Sequence, residues 1–520
     1  MTHLRIGIDV GGTNTDAVVV DQDGAVIAST KAATTPDPSL GIRSALDAVV
    51  QGVDKSVITQ AMLGTTHPAN AIIRRRDLEP VGVLRLAAPS SLAVRPGAAW
   101  PRDLHATVIG PAEIIRGGFE YDGREIAPLD EDAVRRFAAA CVGKVQSIAI
   151  TSAFAPASFD HEQRAGEIVA AEVGDALRVG LSHQVGSIGM LERENATILN
   201  AALFGVAQAV VDGFHAALAS HGLNVESYLT QNDGTLMTSD EAVRLPILTV
   251  GSGPTNSMRG ACALAGLSDA LVIDVGGTSA DVGILVDGVP RESSAAVEVG
   301  GVRTNFRMPD LISIGLGGGT IVSMEAGSVT VGPDSVGYRV ITEALINGGS
   351  TLTLSDISTA GGRLSGFGDS GRVADLEPAV VEGALAWVDE QVQILSERMK
   401  ASRQSLPLIA VGGGSHLVPD HVPGVAEVIR PAHHAVANAF GAAIAEASGA
   451  VDRVYRYESE GREKCLDDAK QLAVDAAVRS GADPDQVRIT SVVEVPMSYL
   501  PGQGCRVQVK AAGPLASTGA

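Results

Sequence analysis

The sequence is poor in aromatic residues and in basic charge. Phenylalanine, tyrosine and tryptophan make up 3% of its 520 residues, which excludes a surface that binds nucleic acid mainly by stacking bases on aromatic rings. Sixty acidic against 39 basic residues give a net charge of −21, which disfavours polyanionic partners. This balance still allows a single nucleotide held by backbone N–H groups and a metal ion. We therefore expect small-molecule chemistry and no nucleic-acid partner.

The chain also lacks closely spaced cysteines and long apolar runs. Its four cysteines, Cys141, Cys262, Cys465 and Cys505, show no C-x-x-C spacing, so zinc-ribbon and thioredoxin-like sites have no support. Reduced thiols in a cytosolic protein are the simplest interpretation. Asp9 interrupts the first apolar run and no run of 18 apolar residues occurs, so the sequence predicts neither a signal peptide nor a membrane span. We expect a cytoplasmic protein without a membrane partner.

Glycine, in contrast, is abundant, and it marks an internal repeat. Residues 8–16 read IDVGGTNTD and residues 273–281 read IDVGGTSAD, an offset of 265 with seven of nine positions identical. Each copy follows an apolar stretch, turns at two glycines and runs on into further apolar residues. This pattern predicts two β-hairpins, whereas the Rossmann and Walker glycine loops lead from a strand into a helix.

The repeated residue types suit phosphate and metal binding. Adjacent glycines let the backbone approach a phosphate closely, and a following threonine adds a hydroxyl donor. Asp9 and Asp274 lie at strand ends, where carboxylates can hold Mg²⁺ through its waters, so we predict both as metal-binding and catalytic residues. The alternative interpretation is two ordinary tight hairpins that happen to be alike. The residues predicted to bind the phosphates are Gly11, Gly12, Thr13, Asn14, Gly276, Gly277, Thr278 and Ser279.

Two further glycine clusters follow the second hairpin. Residues 313–319 read SIGLGGG, which makes Gly317 and Gly318 nucleotide-binding candidates, and residues 408–415 read LIAVGGGS. The second cluster suits a backbone platform beneath an adenosine, where a side chain would collide. The order of these segments is similar to that in the superfamily of acetate and sugar kinases, heat-shock chaperones and actin. The resemblance implies an α/β fold with two duplicated actin-like ATPase domains around a nucleotide cleft, and it assigns Gly412, Gly413 and Gly414 to the adenosine.

The coarse pattern predicts three units along the chain. Residues 1–185 would form the first actin-like domain, residues 186–450 the second, and residues 451–520 a small βαββ unit. Long helices are predicted over residues 188–218 and 378–403. Residues 250–256 are predicted to form a loop before a helix over residues 257–265.

Several segments resemble one family within this superfamily, the hydantoinase A/5-oxoprolinase family. They are LGTTHPANAII at 63–73, QNDGT at 231–235, SGP at 252–254, GPDS at 332–335, LTLSDI at 352–357 and ANAFGAAIA at 437–445. The resemblance implies ATP- and Mg²⁺-dependent opening of a cyclic amide such as a hydantoin or 5-oxoproline. Transfer of the γ-phosphoryl group to the amide oxygen would turn that oxygen into a leaving group. The resemblance also implies a second, B-type subunit and an oligomeric enzyme.

The family pattern HGTT-x-x-T-N is altered here, because Leu63 replaces its histidine and Ala69 its later threonine. The resemblance still assigns the loop to the substrate, with four candidate residues: Thr65, Thr66, His67 and Asn70. Two alternatives remain open at this point. One is a small-molecule kinase whose product is a stable phosphate ester, and the other is a non-metabolic actin-like ATPase.

Overall fold

The fold is mixed α/β. The computed structural model describes residues 3–33, 38–293, 296–325, 328–400, 402, 404–498 and 503–516. The strands are β1 (Leu4–Val10), β2 (Asn14–Val20), β3 (Val26–Ala33), β4 (Ile58–Thr65), β5 (Val81–Ala88), β6 (Ile109–Arg116), β7 (Ser147–Ser152), β8 (Arg178–Leu181), β9 (Glu226–Thr230), β10 (Leu236–Thr238), β11 (Ala270–Val275), β12 (Ala280–Val286), β13 (Val289–Pro290), β14 (Val297–Val299), β15 (Val302–Thr304), β16 (Leu311–Ile314), β17 (Thr320–Glu325), β18 (Ser328–Ser335), β19 (Leu408–Val411), β20 (Val428–Ile429), β21 (Ala447–Arg456), β22 (Arg488–Pro496) and β23 (Gly504–Gly513). The helices are α1 (Pro38–Val49), α2 (His67–Arg74), α3 (Arg102–Val108), α4 (Glu131–Cys141), α5 (Asp160–Val173), α6 (Met190–Ala202), α7 (Phe204–Ser220), α8 (Ser239–Arg244), α9 (Ser252–Ala265), α10 (Val340–Glu343), α11 (Leu354–Ala360), α12 (Pro378–Met399), α13 (Ala437–Ala443), α14 (Tyr457–Glu460) and α15 (Arg462–Arg479).

The repeat seen in the sequence is a repeat of local architecture. Strands β1 and β2 form one antiparallel hairpin, and β11 and β12 form the other. Each first strand also pairs in parallel with a later strand, β1 with β4 and β11 with β19. Both hairpins are rich in buried β-branched residues, as expected of strands covered on both faces. The two predicted hairpins are therefore present, each in a sheet of its own.

Three sheets carry most of the strands. The largest has nine strands in the order β22-β23-β21-β10-β9-β4-β1-β2-β3 and contains the first hairpin. A sheet of six strands contains the second, in the order β13-β12-β11-β19-β20 with β16 beside β12. A parallel sheet of four strands, β6-β5-β7-β8, is formed by the segment between the hairpins.

The C-terminal segment has the predicted element order, β21, α15, β22 and β23. Its strands extend the nine-stranded sheet, because β21 pairs in parallel with β10 and antiparallel with β23. The link predicted at Leu500–Gly502 lies outside the described residues. The domain boundaries at residues 185 and 450 stay a prediction. The strands of the C-terminal segment belong to the same sheet as the first hairpin.

The helix predicted over residues 188–218 is wrong as a single element. It is divided into α6 and α7, which meet at an angle of 46°. The carbonyl of Ala202 accepts a hydrogen bond from the N–H of Glu79 at 3.0 Å. In a continuous helix this carbonyl would accept an N–H from the next helical turn, so the contact with Glu79 marks the break. Among the described residues, no single helix is long and apolar enough to cross a membrane, and this bent pair alone passes that test of length and composition.

Two other helix boundaries also differ from the prediction. Helix α9 begins at Ser252, within the segment predicted to be a loop. Pro254 is tolerated there because the N–H groups of a first helical turn have no partner within the helix. Helix α12 ends at Met399 and Lys400 is extended, whereas Ala401 and Arg403 lie outside the described residues.

Helices α9 and α13 cross in direct backbone contact. A Cβ on Gly260 would collide with the carbonyl oxygen of Ala437, and a Cβ on Gly441 would collide with that of Asn256. Each helix thus supplies a glycine where the other's backbone passes. No other residue type leaves room for this approach.

We predict that Gly441→Ala destabilises the protein by about 1–3 kcal/mol, because the added methyl group meets a main-chain oxygen that cannot turn away. Urea unfolding followed by circular dichroism measures the change. Gly166→Ala in α5 is the matched control, because its Cβ would lie 3.5 Å from Leu181 Cδ2, an ordinary contact. The control should lose nothing and gain about 1 kcal/mol of helix propensity. Equal stability of Gly441→Ala and the parent protein would contradict the tight crossing.

Candidate functional site

The turns of both hairpins open on one cavity of about 420 Å³. Such a volume suits a small-molecule ligand. Of the predicted nucleotide-binding residues, all but Gly317 line this cavity; these are Gly11, Gly12, Thr13, Asn14, Gly276, Gly277, Thr278, Ser279, Gly318, Gly412, Gly413 and Gly414. The structure therefore brings together segments that are about 400 residues apart in the sequence.

The two turns have the same hydrogen-bond geometry and face each other. The N–H of Gly11 donates to the Asn14 carbonyl at 3.0 Å, and that of Gly276 to the Ser279 carbonyl at 2.9 Å. The next two N–H groups of each turn find no acceptor among the described residues: Gly12, Thr13, Gly277 and Thr278. A Cβ on Gly277 would lie 2.9 Å from the Thr13 side chain. Unpaired amides from both hairpins are thus available to phosphate oxygens in the same space.

The SIGLGGG segment supports the second hairpin from behind. Gly318 and Gly319 donate their N–H groups to the carbonyls of Gly276 and Gly277, at 3.0 and 2.8 Å. A Cβ on Gly317 would lie 2.5 Å from the Thr278 nitrogen. Gly318 therefore contributes a wall to the cavity and no free donor, and Gly317 lies beneath the turn.

The predicted adenosine loop also depends on the second hairpin. Gly412 has φ +86°, and a Cβ there would collide with Asp274 and with the Val275 carbonyl. Gly414 donates its N–H to the same carbonyl at 2.7 Å. The same cavity is also lined by apolar side chains that the sequence did not indicate: Tyr338, Val340, Ile341, Leu364 and Phe367. A cavity that combines a glycine loop with apolar side chains suits a flat heterocyclic base.

Four carboxylates line the cavity as two cross-strand pairs. Asp9 lies directly opposite Asp16 on the first hairpin, and Asp274 lies opposite Asp281 on the second. Each carboxylate has its own partner. Asn438 Nδ2 donates to Asp9 at 2.9 Å, Lys31 Nζ contacts both oxygens of Asp16 at 2.8 Å, the Ser257 hydroxyl donates to Asp274, and the Ser313 hydroxyl donates to Asp281.

Burial leaves these carboxylates short of compensating charge. It raises the pKa of Asp9 to about 7, with the nearby Asp16 adding to the effect. It raises the pKa of Asp281 to about 6 and that of Asp274 above its usual range. For Asp16 burial also raises the pKa, although Lys31 opposes it. One lysine among four carboxylates favours the binding of a cation.

The residues present fit a magnesium ion that is shared with a ligand. Oδ1 of Asp9 is buried and has no hydrogen-bond partner in the described part of the chain. No group of three His, Cys, Asp or Glu side chains among the described residues could hold a metal by itself. Mg²⁺ usually keeps several waters and takes other ligands from phosphates, so Asp9 and Asp274 would hold it with the nucleotide.

The four predicted substrate residues are not equivalent. Thr66 lines the cavity, whereas Thr65, His67 and Asn70 do not. Thr65 is buried at the end of β4, and its hydroxyl accepts the N–H of His67 at 3.2 Å. Asn70 donates to the Thr66 hydroxyl at 3.2 Å, so it is placed to orient that side chain. Their role with the substrate stays a prediction.

Sequence reasoning missed Lys31, Asn438 and Ser257. Lys31 could have been found from the register of the hairpin, because it lies directly across from Asp16 on β3. Asn438 and Ser257 lie on α13 and α9, and they reach the carboxylates only through the crossing of these helices. No local signal in the sequence indicates that contact.

Comparison with known proteins places this chain in a family. A profile of the hydantoinase/oxoprolinase N-terminal region matches residues 5–173, and a profile of hydantoinase/oxoprolinase matches residues 193–369. The chain belongs to the hydantoinase/oxoprolinase family. The two matches include both hairpins, the Thr66 loop and the start of α9.

Three relatives illustrate the breadth of this family. Caprolactamase subunit alpha of Pseudomonas jessenii is 28% identical over 389 residues, 70% of this chain and 55% of the relative. The acetone carboxylase beta subunit of Xanthobacter autotrophicus is 26% identical over 397 residues, 68% of this chain and 54% of the relative. 5-Oxoprolinase of Saccharomyces cerevisiae is 27% identical over 415 residues, 70% of this chain and 32% of the relative. The chain thus spans about half the length of the two subunits and about a third of the oxoprolinase.

Two solved structures share the fold. The crystal structure of ATP-dependent caprolactamase from Pseudomonas jessenii aligns with a TM-score of 0.77 at 20% identity, covering 99% of this chain and 89% of that one. The nucleotide-free structure of acetone carboxylase aligns with a TM-score of 0.71 at 19% identity, covering 99% of this chain and 88% of that one. The predicted α/β fold class is confirmed.

We predict that Gly12→Val abolishes ATP binding and leaves the fold intact. A Cβ on Gly12 meets no atom within 4 Å, so valine fits the free protein but fills the space beside the unpaired amides. Isothermal calorimetry with ATP measures binding, and far-UV circular dichroism with the melting temperature provides the control. Parental ATP affinity in this variant would remove the first hairpin from the nucleotide site.

We predict that Asp9→Asn is more stable than the parent protein at pH 8 without magnesium. Because the pKa of Asp9 rises from 3.8 to about 7 on folding, the parent loses stability as the pH rises through that range. This pKa shift lowers the free energy of unfolding of the parent protein at pH 8 by roughly 4 kcal/mol at most. Thermal melting from pH 4 to pH 8 should show a gain for Asp9→Asn that vanishes near pH 4. Asp132→Asn, at an exposed carboxylate, is the control and should show none. A pH-independent difference would contradict the assignment.

Proposed function

We propose that this chain opens a cyclic amide at the expense of ATP, or is the ATP-using subunit of an enzyme that does so. The observation that carries the proposal is the pair of facing hairpins, whose unpaired amides and buried carboxylates share one cavity. The names of two relatives, caprolactamase and 5-oxoprolinase, support a lactam as the substrate class. Hydantoins and other cyclic imides are the neighbouring possibilities within this class.

The chemistry follows from the poor reactivity of an unstrained lactam carbonyl. The carbonyl oxygen attacks the γ-phosphorus of ATP, the bond from that phosphorus to the β,γ-bridging oxygen breaks, and ADP leaves. Water then adds to the activated carbon, and the C–N bond breaks as the ring nitrogen takes up a proton. A second water releases the phosphate. The products are ADP, inorganic phosphate and an acyclic amino acid.

The residues of the cleft divide these tasks. The turn amides and the hydroxyls of Thr13 and Thr278 hold the phosphates, which is the preorganised stabilisation on which phosphoryl transfer depends. A bound Mg²⁺ would neutralise charge on the transferred group, and Asp9 and Asp274 would hold it. Thr66 is placed to orient the ring. ATP and Mg²⁺ are accordingly the predicted cofactors.

A B-type partner subunit and an oligomeric assembly belong to the same proposal. Relatives are named as subunits, namely the alpha subunit of caprolactamase, the beta subunit of acetone carboxylase and the gamma subunit of acetophenone carboxylase. The two carboxylases also favour a second candidate function, ATP-driven carboxylation of a small ketone. A kinase with a stable phosphate ester as product is the third.

One assay separates these functions. The chain, with and without the product of a neighbouring B-type gene, is incubated with ATP, Mg²⁺ and caprolactam, 5-oxoproline or hydantoin. We expect ADP and free phosphate in equal amounts, released in response to one ring. Stimulation only by a ketone with bicarbonate would indicate the carboxylase, and ADP with a stable phosphate ester would indicate the kinase.

We predict that Thr66→Ala lowers ring-stimulated ATP turnover about ten- to a hundredfold, because a polar group of the bound ring loses its partner. ATP affinity should stay close to the parental value. Thr107→Ala, at a threonine outside the cleft, is the control and should change neither quantity. Loss of ATP affinity in Thr66→Ala would move this loop from the substrate to the nucleotide.

A further inference from the structure

A second cavity, of about 560 Å³, shares no lining residue with the nucleotide cleft. Its walls come from the beginning of β21, the end of α15, the segment 183–187 before α6 and the segment 305–307 after β15. The volume lies in the range of small-molecule sites. None of the chemistry proposed for the first cleft uses this space.

One wall presents a histidine that is fixed by a buried carboxylate. Glu162 is fully buried and accepts the N–H of Ser152 at 2.7 Å, the N–H of His183 at 2.9 Å and His183 Nδ1 at 2.7 Å. The imidazole also stacks on Phe159 with 4.4 Å between ring centroids. The ring is therefore held rigidly. Its Nε2 contacts no partner within the described ranges.

Two arginines on the same cavity are incompletely paired. Arg307 is half-buried, and its guanidinium makes no hydrogen bond or ion pair with any described residue. Arg453 lies 5.1 Å above the Phe159 ring, and its Nε is buried without an acceptor. Its one ion pair with a described residue, Asp468, is long at 3.5 Å. Both arginines thus keep bonding capacity for a ligand.

The acidic residues of this cavity, in contrast, are already engaged. Asp452 accepts two hydrogen bonds from Arg506, at 2.8 and 2.6 Å, and the charge of Arg506 helps to hold its pKa below the usual range against burial. Glu241 is paired with Arg244 at 2.5 Å, and Asp233 lies 3.6 Å from Lys510. The uncompensated charge of the cavity is therefore positive, in a chain whose net charge is −21.

We propose that this second cavity binds a small organic carboxylate. The planar guanidinium of Arg307 would hold the carboxylate through paired N–H donors. His183 would add a donor at Nε2 in its imidazolium form, because its Nδ1 is already engaged with Glu162. The apolar part of the ligand would contact Phe306, Leu245 and Leu248, which line the same space. These apolar walls favour an organic acid over inorganic phosphate.

The test uses the whole chain without ATP, so its outcome is independent of the proposed ring-opening activity. Hexanoate is the probe, and hexanamide is the uncharged molecule of the same size. Saturation-transfer NMR and calorimetry should show that hexanoate binds and hexanamide does not. Binding of both with equal affinity, or of neither at millimolar concentration, would overturn the proposal.

Three variants locate the site. Arg307→Gln should weaken hexanoate binding about ten- to a hundredfold, because a charged partner is lost. Arg303→Gln, at an exposed arginine four residues earlier, is the matched control and should leave binding unchanged. Ala450→Trp places a large ring at the exposed rim of the cavity and should block binding even if Arg307→Gln fails to fold. Equal losses in both arginine variants, undiminished binding in Ala450→Trp, or displacement of hexanoate by ATP would each contradict the assignment.

Discussion

The contact between α9 and α13 at Gly260 and Gly441 is the constraint on which the rest of the site depends. Helix α9 carries Ser257, which donates to Asp274 of the second hairpin. Helix α13 carries Asn438, which donates to Asp9 of the first. Because the two helices cross at backbone distance, they fix the separation of the two carboxylates proposed to hold magnesium. The cleft is thus assembled by a helix pair that belongs to neither hairpin.

The same helix pair determines how deeply the carboxylates are buried. A Cβ on Gly7 of β1 would collide with the backbone of α13, and a Cβ on Gly64 of β4 would collide with Asp9 itself. The close packing that these glycines permit removes water from Asp9 and raises its pKa to about 7. A group so desolvated is unfavourable to ionise in the empty protein and favourable to pair with a cation. Stability is given up at the position where binding is needed.

The sequence predicted what is local and missed what is long-range. The hairpins were predictable because a nine-residue pattern of glycine, threonine and aspartate encodes each turn by itself, and the family resemblance followed from such local segments. The break between α6 and α7 at Leu203 was not predictable, because it depends on a hydrogen bond from the N–H of Glu79, which lies outside both helices. Gly317 was assigned to the ligand because a glycine that supports a turn from behind has the same sequence signal as one that faces a phosphate.

The glycines of this centre have a consequence for how the chain can vary among relatives. At Gly7, Gly260 and Gly441 the obstacle to a side chain is a main-chain oxygen, and at Gly64 it is a buried carboxylate. No second substitution elsewhere moves a main-chain atom out of the way, so the first three positions have no compensating partner. Tolerance to substitution should therefore be lowest at these buried glycines, in the interior of the molecule. Differences in substrate among relatives have to arise elsewhere, in the loops and cavity walls around these glycines.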